Sequence, residues 1–196
     1  MDPLQTSRVI YEPRFIPSNQ CDKLFSRFKN LSFNRAHLTR SVIWFGPCDY
    51  HYGSGLNATT LTQRPLESDL DILHLSEKLS HYLNASFNSC LVNLYNDQNQ
   101  MVPAHSDDEP IFGFNPVIAS LSFGATRRFV FESKPPRKSL AEQHLKSIRS
   151  RYVFALGNGD LIVMRGPTQL YWNHSVPKES SPCGPRINLT FRNVVS

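Results

Sequence analysis

His105 and Asp107 stand two residues apart in the run His105-Ser106-Asp107-Asp108-Glu109-Pro110. An extended backbone sends alternate side chains to the same face, so an imidazole and a carboxylate placed this way can converge on one ion. His174, at the end of a later predicted strand, is the candidate third ligand. Two histidines and one carboxylate suit non-haem Fe(II), because they leave adjacent positions open for a co-substrate and oxygen. The pair alone does not establish a metal site, since a surface turn with a capping aspartate is the simpler account of it.

The final strand changes that balance. Arg186, Asn188, Thr190 and Arg192 alternate with Ile187, Leu189 and Phe191, so one strand face carries two arginines. A buried guanidinium is costly unless it meets an anion, and its planar fork matches a carboxylate through two parallel hydrogen bonds. A dicarboxylate co-substrate fits that requirement. Asn93 and Tyr95, in Leu91-Val92-Asn93-Leu94-Tyr95, likewise put two polar groups on one side of a strand.

These residues need a scaffold. Apolar spacing predicts one helix over 18–31, with Ser18 or Asn19 as cap, and a second over 66–83. From residue 88 onward short strands dominate: 89–95, 116–123, 128–132, 152–155, 160–164, 169–174 and 186–194. Gly157-Asn158-Gly159 reads as a hairpin turn between two of them. The pattern predicts a mainly β fold with flanking helices, a sandwich or jelly roll buttressed on one face by the N-terminal helices.

The length, 196 residues, fits one domain. At 40% hydrophobic and 19% charged the composition is that of a globular protein, which excludes a disordered chain. No apolar run reaches the length of a membrane span, and the start lacks the apolar core of a secretory signal. Cys21, Cys48, Cys90 and Cys183 form no C-x-x-C pair and read as reduced thiols in an intracellular protein. The net charge is +5, and residues 127–151 concentrate it, with eight basic residues against two acidic ones. A polyanion is a reasonable partner for that surplus; a solvated basic loop is the bland alternative.

Taken together, residues 91–110, 116–131, 159–179 and 185–192 resemble the AlkB family of nucleic-acid dealkylases, and in particular its eukaryotic-type homologues that repair alkylated single-stranded DNA and RNA. The resemblance implies a double-stranded β-helix (jelly-roll) core at 88–194, an N-terminal extension and helix at 1–39, and a nucleotide-recognition lid at 40–65. It implies Fe(II) held by His105, Asp107 and His174, with 2-oxoglutarate and O2 as co-substrates. Arg186 would pair with the distal carboxylate of 2-oxoglutarate, and Asn93, Tyr95, Asn188 and Arg192 would complete the pocket. In the lid, Tyr52 would stack on a flipped base and Tyr50 would assist it, while Glu109 would attract a cationic methylated base. From their charge, Arg40, Arg127 and Arg128, together with the basic 134–151 segment, are candidate phosphate contacts.

The implied activity is oxidative demethylation of N1-methyladenine or N3-methylcytosine in DNA or RNA, preferentially single-stranded. It would release formaldehyde as 2-oxoglutarate becomes succinate and CO2. A monomer in the nucleus or cytoplasm is expected, with no membrane association. Two alternatives stay open: the same chemistry on a protein or small molecule, and a non-catalytic nucleic-acid-binding module. A zinc hydrolase fits less well, because it leaves Arg186 and Arg192 unexplained.

Overall fold

Period-two patterning sets up two antiparallel sheets facing each other. The computed structural model describes residues 6–37, 39–52, 59–135 and 149–195. The large sheet has seven strands in the order β1 (Arg8–Glu12), β11 (Leu161–Arg165), β8 (Ile118–Gly124), β13 (Arg186–Arg192), β6 (Ser89–Tyr95), β3 (Arg40–Phe45) and β2 (Asn34–His37). The small sheet runs β10 (Arg151–Leu156), β9 (Arg127–Ser133), β12 (Trp172–Val176) and β7 (Val102–His105). A separate hairpin pairs β4 (Tyr50–Tyr52) with β5 (Thr59–Leu61). This is the jelly-roll architecture that the strand pattern predicts.

All seven residues of β6 and all seven of β13 are buried, because both faces of the large sheet are covered. Val92, Leu94, Ile187, Leu189 and Phe191 join Phe28 of α1 (Ser18–Lys29) and Ile72, Leu75, Leu79 and Leu83 of α2 (Leu70–Leu83) in the main apolar core. The polar alternates, Asn93 and Tyr95 on β6 and Arg186, Asn188, Thr190 and Arg192 on β13, point the other way, toward the small sheet. One strand pair therefore carries both the core and the candidate pocket.

The helices differ from expectation at their ends. Pro17, not Ser18 or Asn19, caps α1, which stops at Lys29 with Asn30 as C-cap. Residues 66–68 form a separate 3-10 turn, because Asp69 is extended and its side chain accepts the Ile72 N–H as the N-cap of α2. Asp69 also accepts from Arg27 at 2.8 Å, which ties α1 to α2. The stretch expected as a strand over 169–174 begins instead as a one-turn helix, α3 (Thr168–Tyr171), before β12.

Gly157-Asn158-Gly159 does not close a hairpin. It carries the chain from β10 in the small sheet to β11 in the large one. Gly159 sits at φ +86°, where a Cβ would collide with the Ile16 carbonyl, so the crossing needs glycine there. Among the described residues no helix is long and apolar enough to cross a membrane.

Candidate metal centre and co-substrate pocket

The ladder between β7 and β12 puts His105 directly opposite His174. Their rings lie 4.3 Å apart, centroid to centroid. Asp107 follows two residues beyond the end of β7, with Oδ1 3.6 Å from His105 Nε2 and Oδ2 3.8 Å from His174 Nε2. Ligand atoms of the three residues all lie within 4.8 Å of one another, the one such trio of metal-binding side chains among the described residues. His105 Nδ1 meets the Pro103 carbonyl at 2.9 Å, which leaves Nε2 for the centre. The His174 ring stacks on Phe129 at 5.4 Å and 13°.

Electrostatics prepare the trio for a cation. Burial pushes the Asp107 carboxyl up, but the Arg192 guanidinium and the two imidazoles outweigh it and hold the group well below the usual carboxylate range. Burial, reinforced by His105, lowers His174 to about 3. Both side chains are thus unprotonated near neutrality, the form in which they bind metal. Burial pulls His105 down, yet its contact with Asp107 prevails and raises it.

The loop carrying Asp107 is braced from α3. The Asp107 N–H donates to Gln169 Oε1 at 2.8 Å, and Gln169 Nε2 in turn reaches Met164 Sδ at 3.3 Å. Lys134 Nζ donates to Ser106 Oγ at 2.7 Å and to the Gln169 carbonyl at 2.8 Å, with Asp108 Oδ2 at 3.4 Å. Gln169 escaped the sequence reading, and Lys134 counted there only as one charge in a basic stretch.

Asn93, Tyr95, Asn188 and Arg192 line one cavity together with His105 and His174. Arg186 lies beside it, its guanidinium 5.3 Å from the Tyr95 ring centroid. It is fully buried and donates through Nη2 to Ser122 Oγ at 2.9 Å, while Nε and Nη1 are buried with no partner. Two unpartnered guanidinium donors beside this cavity fit a carboxylate, so the residues present suit 2-oxoglutarate as well as iron.

Arg192 has a partner of its own: Nη2 and Nε donate to Asp107 at 2.9 and 3.2 Å. Its main contact is therefore a metal ligand rather than the co-substrate, although Nη1 has no partner and the side chain still lines the cavity.

The expected substrate residues divide. Tyr50 is buried between Trp44 and Phe112 and its hydroxyl donates to Glu109 Oε1 at 2.8 Å, so it packs the lid instead of offering a free ring. Glu109 Oε2 is buried without a partner. The Tyr52 side chain and residues 53–58 of the lid lie outside the described residues, as do Arg137, Lys138 and Lys146 of the basic stretch. Arg40 cannot meet phosphates as expected, because it is buried and bonds Asn93. Nor can Arg127, also buried, which donates to the carbonyls of Asp97, Gln100 and Pro177 and so closes loops. Arg128 is exposed and pairs with Glu179 at 2.8 Å. The expected lid is also divided, since 40–45 form β3 of the large sheet and 50–61 hold the separate hairpin.

Residues 17–192 match the model of the 2OG-Fe(II) oxygenase superfamily. The chain belongs to that superfamily and, within it, to the AlkB family. It is 37% identical over 204 residues to "Alpha-ketoglutarate-dependent dioxygenase alkB homolog 3" of Bos taurus, covering 99% of this chain and 68% of that protein. It is 36% identical over 210 residues to "DNA oxidative demethylase ALKBH2" of Arabidopsis thaliana, covering 96% and 67%. Among solved structures, OsALKBH1 aligns with a TM-score of 0.59 at 17% identity, covering 94% of this chain and 96% of the other. A Pseudomonas putida prolyl-4-hydroxylase aligns at 0.56 and 16%, covering 99% and 97%, and these two speak to the fold alone. The protein is an Fe(II)- and 2-oxoglutarate-dependent dioxygenase using O2.

Proposed function

We propose that this dioxygenase removes methyl groups oxidatively from N-alkylated bases of DNA or RNA, of the N1-methyladenine and N3-methylcytosine type, with single strands preferred. The observation that carries the reading is Glu109. Tyr50 holds one of its oxygens at 2.8 Å, and the other is buried with no partner among the described residues, two positions from the metal ligand Asp107. Such a carboxylate favours a cationic methylated base over its neutral parent. The name of the Arabidopsis relative, a DNA oxidative demethylase, points the same way.

Iron, 2-oxoglutarate and O2, when bound, would supply the oxidation: one O2 takes four electrons, two as 2-oxoglutarate becomes succinate and CO2 and two as the N-methyl group is hydroxylated and leaves as formaldehyde. This chain's residues do the positioning. His105, Asp107 and His174 hold the metal, and Arg186 takes the distal carboxylate of the co-substrate. Asn93, Tyr95 and Asn188 line its length, and the buried walls around Phe129 and Met164 exclude water. Tyr52 is the proposed stacking ring for the flipped base, and exposed Arg128 and Arg149 are proposed phosphate contacts. We read the protein as an intracellular monomer of nucleus or cytoplasm; the four free cysteines support the intracellular part of that reading.

A panel of methylated oligonucleotides tests this. Formaldehyde release from N1-methyladenine or N3-methylcytosine in single strands is expected. Its absence in DNA and RNA alike, with 2-oxoglutarate still decarboxylated, would assign the enzyme another substrate.

A further inference from the structure

Arg40 opens β3, a place where an arginine ordinarily reaches solvent. Here it is 8% exposed and lines the cavity with His105, His174 and Arg192. Val42 and Trp44, on the same strand face, pack under Tyr50, so this face of β3 looks inward. Arg40 Nε donates to Asn93 Oδ1 at 2.7 Å.

That short bond has a chemical consequence. A guanidinium only donates, so the oxygen of the Asn93 amide must face Arg40 and the nitrogen must face away. Among the described residues Asn93 Nδ2 has two hydrogen-bond partners, the Leu91 carbonyl and Asn188 Oδ1, both at 3.4 Å and at the limit of a hydrogen bond. The next amide is fixed as well. Asn188 Nδ2 donates to Ser120 Oγ at 2.6 Å and to the Leu121 carbonyl at 3.0 Å, and its Oδ1 accepts from Thr190 at 2.8 Å. The floor of the cavity is a row of amides of set polarity, with one under-used N–H donor on Asn93.

We infer that Arg40 is a positioning residue for 2-oxoglutarate, acting through Asn93 by fixing its amide with Nδ2 presented to the co-substrate. Without Arg40 the two amide orientations become close in energy, and the wrong one turns an oxygen toward a carboxylate. The inference rests on the reading of Asn93 as a co-substrate contact.

Affinity for 2-oxoglutarate is measured calorimetrically on Mn(II)-loaded protein, alongside KM and kcat of the Fe(II) enzyme. Arg40→Met is expected to weaken 2-oxoglutarate binding about tenfold and to raise its KM in step, the size of one lost hydrogen bond. Metal affinity should hold, and kcat should stay within about twofold. Arg40→Lys, which keeps a donor, is expected to lose only about threefold, and it carries the test if the Met variant does not fold. Asn93→Asp keeps an acceptor for Arg40 but has no N–H, so it should bind 2-oxoglutarate as poorly as Asn93→Ala.

If Asn93→Ala weakens binding while neither Arg40 variant does, the positioning role is overturned and the pocket reading stands. If Asn93→Ala binds normally, the pocket reading of Asn93 fails and the inference goes with it. In the Asn93→Ala background Arg40→Met should add less than about twofold; a full tenfold there means direct contact by Arg40 and overturns the inference.

Discussion

Arg186 and Arg192 occupy the two ends of β13, six residues apart on one face, and both are buried. Arg192 is answered from within the chain by both oxygens of Asp107. Arg186 is met by the Ser122 hydroxyl and by Tyr95, and its Nε and Nη1 find no hydrogen-bond partner among the described residues. The first arrangement stabilises the protein and orients a metal ligand. The second stores an uncompensated charge, a cost that a fold tolerates where a ligand later cancels it. In sequence the two arginines look equivalent; the identity of their partners separates structure from binding.

The sharpest way to break this contrast is Asp107→Ala. It removes a metal ligand and strands Arg192, so turnover should vanish with the iron and stability should fall by about 3–5 kcal/mol. Near-normal activity with iron retained would mean the trio is wrongly assigned. Arg192→Met should cost a similar amount in the metal-free protein, since it leaves the Asp107 charge buried, and added metal should recover part of the loss in Tm.

Arg186→Met should do the opposite: 2-oxoglutarate affinity drops about a hundredfold or more while the ligand-free protein is as stable as before. A destabilised Arg186→Met, judged by denaturant midpoint, would show that this arginine is structural after all.

Lys134→Met loosens the loop around Ser106 and Asp107, and equilibrium dialysis should read iron affinity about 10–100-fold weaker. Smallest is a pH effect on the metal-free protein. His174 sits at about 3 in the fold against an ordinary 6.5. Between those values the unfolded chain takes up a proton that the folded chain refuses, so stability falls as pH drops through that window. His174→Gln should flatten the slope of denaturant midpoint against pH.

The period-two alternation made much of this legible: β6 falls on residues 89–95 as expected, and β13 carries its polar face where the pattern put it. The metal trio was a candidate from residue type and the H-x-D spacing, but it took the arginine-bearing final strand and the family resemblance to favour it over a surface turn. Arginine burial was not readable, because Arg40, Arg127 and Arg128 have the same chemistry and only their neighbours decide which meets solvent. Tyr50 shows the same limit, since an aromatic in a lid motif can stack on a ligand or on Trp44. Gln169 left no signal at all: its task is to accept one backbone N–H, and any short polar side chain in that turn reads alike.

The pairing of β7 with β12 has one more consequence. β7 is the outermost strand of the small sheet, four residues long, with a proline inside it and a register shift against its neighbour. Two of the metal ligands sit across that ladder, so a bound ion is also a rivet on an exposed sheet edge. The shortness of β7, its proline and its register shift are features that keep an edge strand from pairing with another chain, so the ion fastens an edge already unsuited to strand addition.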